Sequence, residues 1–383
     1  MRAPSRWVAD AGEAIAARAE QDLAALVAVS SPSGDTEGAK AAVEVARGML
    51  PPEAQVERLD CSSPDHADDL LGRLSGTGTR RLLLLGHLDT VVAHAGHRPL
   101  ERADGRLVGS GTVDMKGGVA LALGVLRALA GRPEAYAEAS VLLVNDEEWR
   151  RHPFVHAERF AGVDACLCFE AGQLTAEGED AVVVRRKAAG TLRVQAAGLA
   201  AHSGAAPEKG VNALLGLARA AQIVAERHDP DGTDHLTAVP TILRSGDAFN
   251  VVPAGGELYC DLRADHLAAI EAVAEALPAD VGGATLDAGL IRRWPGMDAR
   301  EATAGLLTEA SARLGRPVVA AARGGASDAS HMAVTVPVTV DGLGPRGGAA
   351  HNPEEWVLAE SLRPRAEVAL ALAAAVLGGE PRL

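Results

Sequence analysis

Apolar residues in this chain come in short runs that stop abruptly at polar ones, and the stops are its most informative positions. Leu82 to Leu85 is wholly apolar, breaks at Gly86 and delivers His87 and Asp89. Residues 140–144, SVLLV, run into Asn145, Asp146, Glu147 and Glu148; residues 165–169, ACLCF, run into Glu170. Such runs, bounded by turn formers, read as buried strands. Strand C-terminal ends are where open α/β sheets usually place their chemistry. A glycine-punctuated stretch, GSGTVDMKGG, holds Asp114 directly before an apolar helical run over 119–130.

The remaining pattern extends the picture. Helical spacing covers 11–30, stopped by SSPSG, and 36–50, closed by Pro51 and Pro52, with a strand at 55–59. Alternation of strand and helix predicts an α/β fold with a mostly parallel sheet flanked by helices. After Gly178 the pattern changes to strands at 181–186, 190–197, 237–243 and 256–263 around helices at 210–227 and 267–277. This is the signature of an inserted α+β layer over 179–290, interrupting a larger domain formed by 1–178 and 291–383. The chain returns through a helix at 299–314 and a strand at 334–340 that leads to Asp341 and His351, and closes with a helix at 360–377. A length of 383 residues suits two domains.

Composition then narrows the function. A net charge of −14 argues against a nucleic-acid partner. No run approaches a membrane span, and the first residues lack the apolar core of a signal peptide, so a soluble cytoplasmic protein is expected. Cys61, Cys166, Cys168 and Cys260 are too few and scattered for a disulfide framework; Cys166 and Cys168 sit in an apolar strand and read as small hydrophobes.

Histidines and acids at several strand ends point to metal chemistry. Imidazole and carboxylate are the ligands of zinc-like ions, and hydrolytic sites leave a position open. His87, Asp114, Glu147, Glu148, Glu170 and His351 are the candidates. Asp89, two residues beyond His87 on an extended segment, can accept the other ring N–H. Adjacent Glu147 and Glu148 face opposite ways if extended, so one can ligate while its neighbour takes a proton from the attacking water. Three carboxylates with two histidines exceed one tetrahedral ion and suit two ions sharing a carboxylate. His152 and His156 lie among Arg150, Arg151 and Arg159, which disfavours a cation there. His202, in the small-residue loop AAHSGAAPEKG, can donate to a developing oxyanion.

The motifs HLDTV, GSGTVDMKGG, NDEE, FEAG, AHSGAAPEKGVNAL, GGASDA and HNPEEWV resemble, in order and spacing over nearly the full chain, the di-zinc metallopeptidases that include glutamate carboxypeptidase, acetylornithine deacetylase, succinyl-diaminopimelate desuccinylase and aminoacylase. The resemblance implies that His87 and Glu170 bind one ion, Glu148 and His351 the other, and Asp114 bridges them. It makes Glu147 the general base, Asp89 the partner of His87, and His202 an oxyanion donor from an insert that also serves as lid and dimerisation domain. It further implies a homodimer and two divalent ions, zinc first, with cobalt or manganese as alternatives. AHSGAAPEKGVNAL, AFNVVP and DLRA are most similar to the glutamate carboxypeptidase branch. There Asn250 and Arg263 are expected to bind the substrate's carbonyl and carboxylate, and Gly325, Ser327 and Asp328 to line the pocket; a guanidinium fork suits a carboxylate. One departure stands beside the base: Trp149-Arg150-Arg151-His152-Pro153 replaces a glycine- and serine-containing turn, and is expected to narrow the pocket or recognise an acidic substrate.

These readings converge on a hydrolase cleaving an amide or peptide bond next to a free carboxylate, with a small N-acyl amino acid or peptide as substrate. Deacylation of N-acyl amino acids is the alternative within the class, and a non-catalytic binding protein the alternative outside it. A serine hydrolase is disfavoured by the lack of a G-x-S-x-G stretch.

Overall fold

A computed structural model describes residues 5–378, which divide into two compact units. The first runs to Arg185 and resumes over Asp298–Ala322 and from Ser327; the second is Arg186–Met297 with Arg323–Ala326. Sequence patterning puts the insert a few residues earlier at each end. The strand Asp180–Arg186 bonds through Val183 to Asp341 in the first unit, and the eleven-residue strand Ala284–Trp294, which the pattern does not reveal, carries the second unit further.

The first unit is built on a six-stranded sheet, in spatial order Gln55–Leu59, Asp69–Ser75, Glu138–Val144, Arg81–His87, Ala165–Cys168, Thr339–Val340. The last four are mutually parallel; the first two are antiparallel additions at one edge. Leu82 to Leu85 are fully buried, as a strand covered on both faces requires. The helix Gly117–Ala130 is buried almost all round and packs on this sheet. Gly118 makes its entry possible, since a Cβ there would lie 1.8 Å from the carbonyl oxygen of Phe169.

Two expectations need correction. Asp69–Ser75 is a strand that Gly72 and Arg73 hide in the sequence. The expected strand at 334–340 shrinks to Thr339–Val340, because a short helix, Asp328–Met332, turns through Val334 and Val336 with N–H bonds back to His331 and Met332.

Register aligns the chemistry. His87 pairs with Val144, so the Asn145–Glu148 turn leaves beside it; Leu85 pairs with Cys168, so Glu170 follows at the level of His87. In the second unit an antiparallel sheet carries helices Ala213–Glu226 and Leu267–Glu275. Alternate residues Leu258, Cys260, Leu262 and Ala264 are buried with Leu217, Val224, Ile270 and Val273. Cys166 and Cys168 are buried and outside any disulfide, as small hydrophobes should be. Among the described residues no helix is long and apolar enough to cross a membrane.

Candidate active site

Five candidate ligands meet at the C-terminal edge of the first unit's sheet. His87 Nε2 lies 3.1 Å from Asp114 Oδ1 and 3.8 Å from Glu170 Oε1. His351 Nε2 lies 3.2 Å from the other Asp114 oxygen, Oδ2, and 3.3 Å from Glu148 Oε2. One carboxylate thus faces two separate donor groups, His87 with Glu170 and His351 with Glu148. Ligand atoms of His87, Asp114 and Glu148 fall within 4.8 Å of one another. Imidazole nitrogens and carboxylate oxygens converging at these distances fit divalent cations, and the split around Asp114 fits two of them.

Electrostatics agree with that fit. Burial drives the Glu147 carboxyl well above the usual range, and Glu170, Glu148 and Asp328 add to the rise while His87 opposes it. Burial pulls His87 down, but hydrogen bonding to Asp114 and Asp89 outweighs it and leaves the ring well above its ordinary value. His351 is lifted to about 10 by Asp114 and Glu148. A site so rich in carboxylate favours cations.

Asp89 does more than the i,i+2 spacing suggests. His87 Nδ1 contacts its backbone carbonyl at 3.0 Å and its carboxylate at 3.3 Å. The same carboxylate, fully buried, accepts the N–H groups of Glu147 at 3.2 Å and Glu148 at 3.1 Å. One side chain therefore orients a candidate ligand and the turn carrying the candidate base.

Two contributors escaped the sequence reading. Glu355 Oε1 accepts the N–H groups of Val113 and Asp114, at 3.0 and 3.4 Å, and its own carbonyl accepts from Gly109. It ties the Asp114 loop to the segment that bears His351. Burial pushes its carboxyl up to about 8. Lys116, fully buried, donates to the Val29 carbonyl at 2.7 Å. The only textual hint was a repeated acid, Glu354-Glu355, after His351.

The basic segment was expected to narrow the pocket or recognise an acidic substrate, and Arg150 does neither. Arg150 is 1% exposed and its guanidinium is held by Asp146 and Asp328; that corrects the expectation that it meets an acidic substrate. The Asp328 carboxylate is taken by Arg150, and Ser327 Oγ donates to Asp341 at 2.6 Å. Both expected pocket residues thus have internal partners. His156 pairs with buried Asp69 at 2.8 Å. Trp149, at 57% exposure, and Arg151 stay open.

The remaining candidates belong to the second unit. His202 is exposed, and its Nδ1 accepts backbone N–H bonds from Gly204 and Ala205, both at 3.2 Å. That fixes the proton on Nε2, leaving it as a donor. Asn250 is exposed, and its backbone carbonyl accepts the Ser203 N–H at 3.0 Å, beside the bridge of His202 with Val251. Arg263 forks onto Asp261, with both bonds at 3.1 Å. The Gly325 carbonyl accepts from Arg186 at 2.7 Å.

Residues 83–375 match the description of Peptidase family M20/M25/M40, well over half of the chain. The chain belongs to that family. As an M20/M25/M40 member it is a metal-dependent hydrolase of amide or peptide bonds. It is similar to carboxypeptidase G2 of Pseudomonas sp. strain RS-16, 28% identical over 360 residues that cover 90% of this chain and 85% of that one. It is also similar to succinyl-diaminopimelate desuccinylase of Methylobacterium sp. strain 4-46, 31% identical over 343 residues, 80% of this chain and 83% of the other. Among solved structures, aminopeptidase PepT from Bacillus cereus shares the M20/M25/M40 fold with a TM-score of 0.72 at 22% identity, covering 94% of this chain and 98% of that one. The M20 family metallo-carboxypeptidase Sso-CP2 from Sulfolobus solfataricus gives 0.69 at 13% identity, with 93% and 98% covered.

Proposed function

We propose that this M20/M25/M40 hydrolase is a homodimeric two-zinc enzyme of the carboxypeptidase type, removing an amino acid with a free carboxylate from an acyl or peptidyl group. The observation that carries the reading is Asp114, whose two oxygens address His87 and His351 separately. When bound, two zinc ions would polarise the scissile carbonyl and acidify water. His87 with Glu170 and Glu148 with His351 would hold them, with Asp114 between.

The chain's own groups supply the rest. Glu147, whose N–H is pinned by Asp89, is the base that takes the proton of the attacking water and hands it to the leaving amine. Its burial-raised affinity for protons suits both transfers. His202, with its proton on Nε2, donates to the oxyanion. Arg263 is the candidate for the substrate's carboxylate, exchanging its Asp261 fork for it, and Asn250 for the carbonyl. Similarity to carboxypeptidase G2 supports release of a C-terminal residue; similarity to the desuccinylases supports an N-succinyl amino acid as substrate.

A homodimer is supported by the insert's edge strand Thr237–Ser245, which leaves Val239, Ile242 and Leu243 exposed, and by Leu215 of helix Ala213–Glu226, itself 64% exposed. Open apolar edges are what partner strands cover.

The test is a zinc-loaded preparation assayed on folyl- and peptidyl-glutamate, N-succinyl and N-acetyl amino acids, alongside Glu147→Gln. We expect hydrolysis in one carboxylate-bearing class and a loss of about 10³-fold in kcat for the variant, with both ions retained. Undiminished turnover by Glu147→Gln would sink the assignment.

A further inference from the structure

The turn at residues 145–148 is held by more than Asp89. Asp69 accepts the N–H of Asn145 at 2.9 Å from one side. From the other comes Arg150. Its Nε and one Nη donate to Asp146 Oδ1 at 2.9 and 2.6 Å, and both Nη groups donate to Asp328, one of them at 3.0 Å. Phe154 covers the guanidinium face, 4.8 Å from its ring centroid. Asp328 opens a helix that lies 178 positions further along the chain. A planar fork is needed to join two carboxylates in this way, and lysine cannot reproduce it.

We propose that Arg150 is a positioning residue, which locks the turn bearing Glu147 onto the Ser327–Asp328 segment and so sets the base's placement. The inference rests on the reading of Glu147 as the base. In it Arg150, alone of the Trp149–Pro153 departure buried, is an internal strap and takes no part in selecting substrate charge.

Removing Arg150 alone leaves Asp146 and Asp328 buried without their cation and threatens folding. The informative variant is therefore Arg150→Lys, which keeps a charge between the two carboxylates and loses the fork; Arg150→Met with Asp328→Leu removes the long-range pair but leaves Asp146 without its cation, so it is read where it folds. Expected for the folded double variant are wild-type zinc content, a lowered Tm, KM within roughly 3-fold, and kcat lower by about 10²-fold, the cost of a misplaced catalytic group. Arg150→Lys should lose about 10-fold in kcat at unchanged KM. Amide hydrogens at 145–149, followed by exchange mass spectrometry without substrate, should exchange about 10-fold faster in both variants while 82–87 stay protected.

Wild-type kcat in Arg150→Lys or in a folded double variant would overturn the proposal, as would a raised KM at constant kcat, which marks substrate recognition instead. Unchanged exchange at 145–149 in Arg150→Lys would overturn it even if the double variant failed to fold. Failure of the functional reading looks different: wild type inert on every substrate, or Glu147→Gln fully active, with the exchange result still deciding the strap.

Discussion

His87 is 1% exposed with both ring nitrogens facing carboxylates or carbonyls, whereas His202, in the insert, is exposed with Nδ1 held by two backbone N–H groups. The first histidine lies among groups arranged before any substrate arrives. The second is tautomerically set but open, as a group that meets its target during turnover must be. Buried preorganisation and exposed readiness are two different ways of serving the proposed reaction, and each histidine makes its own predictions.

The largest effect is expected where one side chain serves both donor groups. Asp114→Ala should remove both ions and lower turnover on the order of 10⁴-fold, read by metal analysis and initial rates. Retention of two ions with substantial rate would break the bridge. The insert's counterpart is His202→Ala, with zinc retained, KM nearly constant and kcat down about 10²–10³-fold. An equal loss of zinc would make His202 a ligand and erase the contrast. Smaller again is Asp89→Asn, which keeps one acceptor for the Glu147 and Glu148 amides but weakens its hold on His87. A decrease of about 10–100-fold in zinc affinity is expected by competition with a chelator.

How far sequence alone reaches follows the same division. His87, Glu148 and Glu170 were legible because apolar runs announce strand ends, and sheet register then does the rest. Asp114 stood out in a glycine-punctuated loop and His351 beyond a late strand, and the order of GSGTVDMKGG and HNPEEWV supplied their expected roles. Arg150 did not, because a local run of arginines normally marks a solvated face, and its partner Asp328 lies 178 positions away. Glu355 was hidden for the same reason: its role is to cap amides at Val113 and Asp114, more than two hundred positions upstream. In the insert, the Ala284–Trp294 strand was missed because its buried face is short and its polar residues blur the period of two. Long-range polar partnerships leave no periodic trace, while burial of apolar faces does.

Burial can be isolated as the cause by comparing two histidine–aspartate pairs of equal length. His156–Asp69, at 2.8 Å, is buried beneath the base-bearing turn; His235–Asp265, at 2.9 Å in the insert, has its histidine 49% exposed. Burial pushes the Asp69 carboxyl from 3.8 to about 6, with His156 and Arg150 pulling it back and Asp146 reinforcing it. A carboxyl raised by folding binds its proton more tightly in the native state. Its stabilising contribution is therefore complete below about pH 3.8 and is lost as pH rises through about 6. That loss amounts to about 2 kcal/mol between pH 4 and 7. Asp69→Asn keeps an acceptor for the Asn145 N–H and abolishes the titration. Urea unfolding should show wild type losing that amount relative to the variant across the interval, whereas His235→Asn should change stability by under about 1 kcal/mol, as exposed pairs do. Parallel wild-type and Asp69→Asn profiles would mean that burial does not set this carboxyl apart.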